Sequence, residues 1–375
     1  MEEVLFISNK TFLDVTQPEG GVRLCTMDYI ELLQQRYKVH LMGVGYNRSL
    51  LFRIKFRLGI DAYEEYVPAD YHKELEDFII NKGIRKIFIN LSNLSEFAAY
   101  IKTAFANYDV KTILCSHGNE SGDFLHQSVR FTDTLNKAKN LFSPYRLGKV
   151  LQKEALYREQ SIDCVLTVSE VEESIEKWLG AKKVCNIPRV LKNEFITWQP
   201  TKGRIGFVGD TSHPPNYFGL LKLCEAFAAH GIPDGLDIRI VGKENNITAS
   251  LRSRFPFVTI TGYLDNDQLI AEAGTWNYYL NLVFYYSKGV STKLQKGLNW
   301  GLPIMSTTAG NRGYVFNKGN LPVYDTPETM AIALHEKLQN ENMVIADRQQ
   351  TIHAVNNTVT YHGIMNDISA VLENL

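Results

Sequence analysis

Short apolar runs alternate with amphipathic stretches along nearly the whole chain. Residues 4–8 read as a strand, 18–21 (Pro-Glu-Gly-Gly) as a turn, 22–36 as a helix and 37–44 as the next strand. The pattern continues with a helix over 71–82, strands over 86–90 and 111–116, a last strand of the first half over 163–169, and a helix over 170–179. A polar stretch containing Pro200, residues 191–203, reads as a linker. After it the pattern restarts with a strand over 204–209, a Pro-Pro-Asn turn at 214–216 and a helix over 217–229. Strands over 237–241, 258–261 and 278–283 follow, with a helix over 267–273 before the last of them. Strands alternating with helices predict parallel sheets covered on both faces. The expected fold class is α/β: two doubly wound domains, 1–190 and 204–375, facing each other across a cleft, with the last helix allowed to pack back on the first domain. In such sheets ligands bind beyond the carboxyl ends of the strands.

One stretch, 286–308, concentrates candidate chemistry: Y-S-K-G-V-S-T-K-L-Q-K-G-L-N-W-G-L-P-I-M-S-T-T. Lys288-Gly289 opens it as a turn. Leu294 and Leu298 lie four apart on one helical face, Gly301 stands where a helix end calls for positive φ, and Pro303 lies just beyond. Residues 304–307 read as a buried strand. A glycine turn feeding a helix N-terminus aims unpaired N–H groups and a partial positive charge at one point, which suits a phosphate. Ser291, Thr292 and Lys293 sit at that point. The same spacing equally suits a βαβ joint with an ordinary cap.

Composition narrows the field. The chain has 375 residues, 45% hydrophobic and 22% charged, with a formal charge of −1, which argues against a general nucleic-acid binder. Its five cysteines are scattered without a C-x-x-C pair and suit a reducing compartment. No basic leader precedes the first strand and no run has the length of a membrane span, so a cytoplasmic location is expected. Segment 48–58 mixes Arg48, Arg53, Lys55 and Arg57 with Leu, Phe and Ile. It reads either as a solvated basic edge or as an interfacial patch meeting anionic lipid at the inner membrane face.

Several motifs then coincide in order. Gly20-Gly21 precedes a helix; S-H-G-N-E-S lies at 116–121, V-L-T-V-S-E at 165–170 and N-I-P-R-V at 186–190. I-G-F-V-G-D-T-S-H-P-P-N follows at 205–216, T-G-Y-L-D-N-D-Q-L at 261–269, and G-V-S-T-K-L-Q-K-G-L-N-W-G-L-P-I-M-S-T at 289–307. The set resembles the family 4 type of retaining, nucleotide-sugar-dependent glycosyltransferases, which have two Rossmann-like domains in the GT-B architecture. The resemblance covers essentially the whole chain. It implies transfer of a sugar from a nucleotide-sugar donor to a glycan or lipid-linked acceptor, with retention, no bound metal and no separate cofactor, in building a surface polysaccharide. The donor would lie in the second domain and the acceptor in the first.

The resemblance also implies site residues. The leaving diphosphate must meet preorganised donors, for which Gly20, Gly21, Ser291, Thr292, Lys293 and Arg312 are the candidates, with Lys243 a further cation after a strand. His117, at a strand's carboxyl end, would face the donor sugar. Tyr263 and Leu264 would flank the base, and Gly209, Gly289 and Val290 belong to the donor-binding segments. The chain departs from the family where two glutamates eight apart are expected and Lys288 and Lys296 stand, and where a basic residue is expected after the donor-domain strand and Asp210 stands. A carboxylate accepts hydrogen bonds from a diol, whereas an ammonium only donates. Three readings follow: a rebuilt pocket with the lysines turned to phosphate, a degenerate member acting as a binding subunit, or another carboxylate such as Glu244 or Glu272 in the missing role. A nucleotide-sugar epimerase is a further alternative.

Overall fold

The computed structural model describes the chain apart from residues 15, 17–19, 59–64, 131–142 and 286–287. It forms two compact units. The first comprises Met1–Arg189, Lys288–Val290 and Thr360–Leu375, and the second Val190–Ser287 and Ser291–Val359.

The first unit carries a parallel sheet of β1 (Glu3–Asn9), β2 (Lys38–Val44), β3 (Lys86–Asn90), β4 (Lys111–Cys115), β5 (Cys164–Thr167) and β6 (Val184–Asn186), in the order β2-β1-β3-β4-β5-β6. Val4, Leu5, Phe6 and Ile7 of β1 are all fully buried, as a strand covered on both faces requires. Leu75, Ile79, Phe97 and Ile101 from the helical segments pack against Leu5, Ile7, Ile87 and Ile89 of the sheet. The strand expected over 163–169 is not the last. β6 adds one more, and its three residues, Val-Cys-Asn, are too few to show an alternation. The terminal helix Tyr361–Glu373 belongs to this unit, where Tyr361 Oη donates to Asp28 and Arg36 donates to Ser369 at 2.9 Å.

The second unit carries β7 (Arg204–Val208), β8 (Asp237–Val241), β9 (Val258–Gly262), β10 (Tyr278–Asn281) and β11 (Ile304–Ser306), parallel and ordered β11-β10-β7-β8-β9. Gly206, in the middle of β7, leaves room for the Trp276 indole, which a Cβ there would strike. Residues 214–216 are not a turn before a helix but the first turn of Pro214–His230. Proline is tolerated there because the first N–H groups of a helix have no internal acceptor. The stretch expected to be a linker packs on this unit instead. Phe195, Ile196 and Trp198 join the cluster around Trp276 and Leu298, and Trp198 Nε1 donates to the Trp276 carbonyl at 2.8 Å. Its polar residues hide three apolar anchors.

Candidate functional site

In the second unit the direction of winding reverses between β7 and β10, and the crevice beyond their carboxyl ends is where such a sheet receives a ligand. Gly209 follows β7 with φ 155°, and a Cβ on it would come within 3.2 Å of Lys293 Cδ. Gly242, after β8, is equally constrained, because a Cβ there would strike the Gly209 carbonyl oxygen. Lys293 thus runs past the bare backbone of Gly209, with its Nζ 6.0 Å from the centre of the Phe207 ring. Burial lowers its ammonium to about 8, and among the described residues no carboxylate pairs with it.

Lys293 lies in the first turn of the helix Thr292–Asn299, whose N-cap is Ser291. The Ser291 hydroxyl does not cap the helix. It donates instead to Asn281 Oδ1 at 2.6 Å, leaving the Thr292 and Lys293 N–H groups without an acceptor among the described residues. Asn281, the last residue of β10, is fully buried, and its amide donates to Ser306 Oγ at 2.8 Å and to the Gly310 carbonyl at 3.1 Å. Tyr314 Oη donates to the Ser291 carbonyl at 2.6 Å. One asparagine therefore ties the end of β10, the loop after β11 and the start of the lysine-bearing helix. Leu294 and Leu298 are fully buried and Gly301 has φ 65°, matching the helix and its stop as expected.

The other donor-side candidates are more dispersed. Lys243 is exposed on the loop after β8, and Tyr263, just past β9, is 81% exposed while Leu264 packs on the core. Lys296 Nζ lies 5.3 Å over the Trp300 ring, and Arg312 Nε donates to the Ala309 carbonyl at 2.9 Å. Both spare carboxylates have partners of their own. Glu272 holds Arg239 at 2.8 Å and accepts from Trp276 Nε1 at 3.0 Å, and Glu244 pairs with Arg252 at 3.1 Å.

In the first unit the corresponding reversal falls between β1 and β3. The helix Gly21–Gln34 starts there, with Gly20 as an N-cap lacking any side chain, and a Cβ on Gly20 would meet nothing within 4 Å. Asn90, the last residue of β3, is fully buried and donates to Ser8 Oγ and Thr26 Oγ1, both at 2.9 Å. Both its donors being used, its Oδ1 accepts from His117 Nε2 at 2.7 Å. His117 is only 8% exposed, and its Nδ1 has no partner among the described residues. Burial, with the nearby Arg189 and Lys288 charges, lowers the imidazole to about 3. It is therefore a neutral ring presenting Nδ1 as a bare acceptor.

The tripeptide Lys288–Val290 closes on the loop around His117. Lys288 Nζ lies 2.7 Å from both Glu120 oxygens, and the Gly289 N–H donates to Glu172 Oε1 at 2.9 Å. Gly118 (φ 100°) and Gly289 (φ 70°) meet so closely that a Cβ on Gly118 would lie 2.5 Å from Gly289 N, and one on Gly289 2.5 Å from the His117 carbonyl oxygen. Behind the loop, buried Glu154 accepts from Glu120 N at 2.7 Å, and the Arg158–Glu176 pair, 0% and 1% exposed, anchors Ser92 and Ser116. The structure therefore gathers Gly209, Ser291, Thr292 and Lys293 in one unit, and His117, Lys288 and Gly289 in the other. Asn90 and Asn281, which hold these candidates in place, were not marked in the sequence, and Glu120 was marked only as part of S-H-G-N-E-S. The only signal for the asparagines was a single amide closing an apolar strand, F-I-N and Y-L-N.

No family model and no curated protein matches the sequence. Solved structures do. Sucrose-phosphate synthase from Thermosynechococcus elongatus superposes with a TM-score of 0.70 at 13% identity, over 100% of this chain and 99% of that one. HepE of Anabaena, in its complex with UDP, gives 0.65 at 12% identity with both chains covered completely. TarM gives 0.66 at 9% identity, over 99% of this chain and 98% of its own. The fold is thus that of GT-B glycosyltransferases, an α/β architecture with two parallel sheets.

Proposed function

We propose that the chain is a glycosyltransferase that moves a hexosyl group from a nucleotide sugar to a glycan or lipid-linked acceptor, with retention and without a metal, in surface-polysaccharide synthesis. The observation that carries this reading is Lys293: a desolvated cation with no carboxylate partner among the described residues, in the first turn of a helix without a side-chain cap, at the switch point of the second sheet. A diphosphate supplies the missing charge. In the reaction the bond between C1 of the sugar and the β-phosphate oxygen breaks, and the acceptor oxygen bonds to C1 on the same face. The acceptor's proton passes to the departing diphosphate. Charge growing on the leaving oxygen meets the Lys293 ammonium and the Thr292 and Lys293 N–H groups, which are already oriented. By the resemblance alone, the Gly20–Gly21 amides would serve the leaving diphosphate and His117 Nδ1 would accept from a sugar hydroxyl. HepE's complexes with UDP and UDP-glucose make a uridine donor the first to test.

Incubation of the purified chain with UDP-glucose and a mixture of methyl glycosides, followed by proton NMR, tests the reading. An α-linked product with release of UDP supports it; a β-linked product overturns retention. Lys288 and Lys296 favour a second reading, a binding subunit that holds a nucleotide and transfers nothing, because both place an ammonium where similar enzymes carry a carboxylate. Saturable nucleotide binding with no turnover on any donor would select it. A new nucleotide sugar formed without acceptor would select an epimerase.

A further inference from the structure

We infer that the helix Leu50–Leu58, with the loop before it, docks the chain on an anionic bilayer surface. Phe52, 9% exposed, seats the helix on the first unit. Leu50 and Ile54, one turn apart, and Leu51 beside them are 72%, 47% and 64% exposed, and Tyr46 just before the helix is 49% exposed. Single exposed aliphatics are ordinary on a soluble protein, but four large apolar side chains within nine residues form a patch that calls for an occupant.

Charge identifies that occupant. Arg48 and Arg53 are exposed at the margins of the patch, and between positions 38 and 58 the sequence contains no acidic residue. An apolar stripe flanked by cations suits the boundary between acyl chains and anionic headgroups, where the aliphatic groups enter and the guanidinium groups stay in the phosphate layer. A protein partner would need complementary acids as well as a matching apolar face. The membrane offers both over its whole surface. A depression of about 580 Å³, bordered by Lys10, Tyr46, Arg48, Asp70 and Tyr71, opens beside the patch and shares Tyr46 and Arg48 with it. A headgroup at the bilayer surface would meet Lys10 and Arg48 on its rim. The basic-edge reading of segment 48–58 accounts for the arginines but not for the aliphatics.

The test is co-sedimentation of the full chain with vesicles of phosphatidylcholine alone and of phosphatidylcholine with a third phosphatidylglycerol. The chain is expected to pellet with the anionic vesicles only and to be released as salt rises. Arg48→Gln with Arg53→Gln should weaken partitioning by roughly 25-fold, about fivefold per charge. Leu51→Ser with Ile54→Ser should abolish it at low salt. Both pairs alter exposed side chains, and an unchanged circular dichroism spectrum and nucleotide affinity show that the fold is intact. The readout is independent of the transferase reading, because membrane binding and nucleotide binding are measured separately. A wild-type chain that ignores both vesicle types, or that self-associates through this patch in sedimentation velocity, overturns the inference.

Discussion

Lys288 and Glu120, 168 positions apart in the sequence, form a two-pronged ion pair with both oxygens 2.7 Å from the ammonium. The lysine that replaces an expected glutamate is therefore not an uncompensated charge. It brings its own carboxylate and, through the adjacent Gly289 N–H on Glu172, fixes the loop that carries His117. Lys288→Glu would set two carboxylates against each other and should lower stability by about 1 kcal/mol. Adding Glu120→Lys should restore most of the loss. Denaturant midpoints of the four chains form the double-mutant cycle that checks it.

Lys293 gives a pH dependence. Its ammonium is lowered to about 8 in the free chain, and a bound diphosphate favours the charged form. Nucleotide affinity should then be constant below about pH 8 and fall by up to about tenfold per unit above it. The same lowering acts on stability with the opposite sense. The unfolded chain holds this proton more tightly, so stability should rise with pH between about 8 and the ordinary lysine value. Titrations from pH 6.5 to 9.5, alongside Lys293→Ala, check both, since the variant should show neither trend from this group.

His117 stays neutral above about pH 3, so no ionisation seen in a rate profile between pH 5 and 9 belongs to it. Replacing it by alanine removes one neutral hydrogen bond to the sugar and should lower transfer by about 3- to 10-fold. Affinity for free nucleotide should stay within about twofold. Steady-state rates and binding constants of the variant separate the two effects.

The sequence showed what apolar periodicity can show. β1 and β3 appear as unbroken apolar runs, and Leu294, Leu298 and Gly301 mark a helix and its stop. The helix Ser143–Gln160 did not stand out, for a physical reason. Its buried residues, Val150, Glu154 and Arg158, are four apart as in any core-facing helix, but two of them are charged. The helix Glu170–Trp178 likewise buries Glu172 and Glu176. These polar residues form the support behind the His117 loop, so the part of the site most dependent on tertiary contacts was the least visible. Lys293 was legible because a glycine turn and a helix start are local. Its desolvation was not.

That support should be sensitive to one-sided change. Glu176→Leu leaves the Arg158 guanidinium buried opposite a leucine and should cost about 3–5 kcal/mol. Combined with Arg158→Met the loss should be much smaller, since an apolar pair of similar volume needs no counter-charge. Urea unfolding of the single and double variants measures the difference.

The most direct measurement for the account as a whole is calorimetric titration of the chain and of Lys293→Ala with UDP, GDP, dTDP, ADP and CMP at pH 7. Saturable binding of one of the nucleoside diphosphates near micromolar, about 8 kcal/mol, is expected. In the variant that binding should weaken by about 10- to 100-fold, the worth of a hydrogen bond to a charged group. Binding of none of the five, or equal binding by both proteins, would contradict the donor site placed at Lys293.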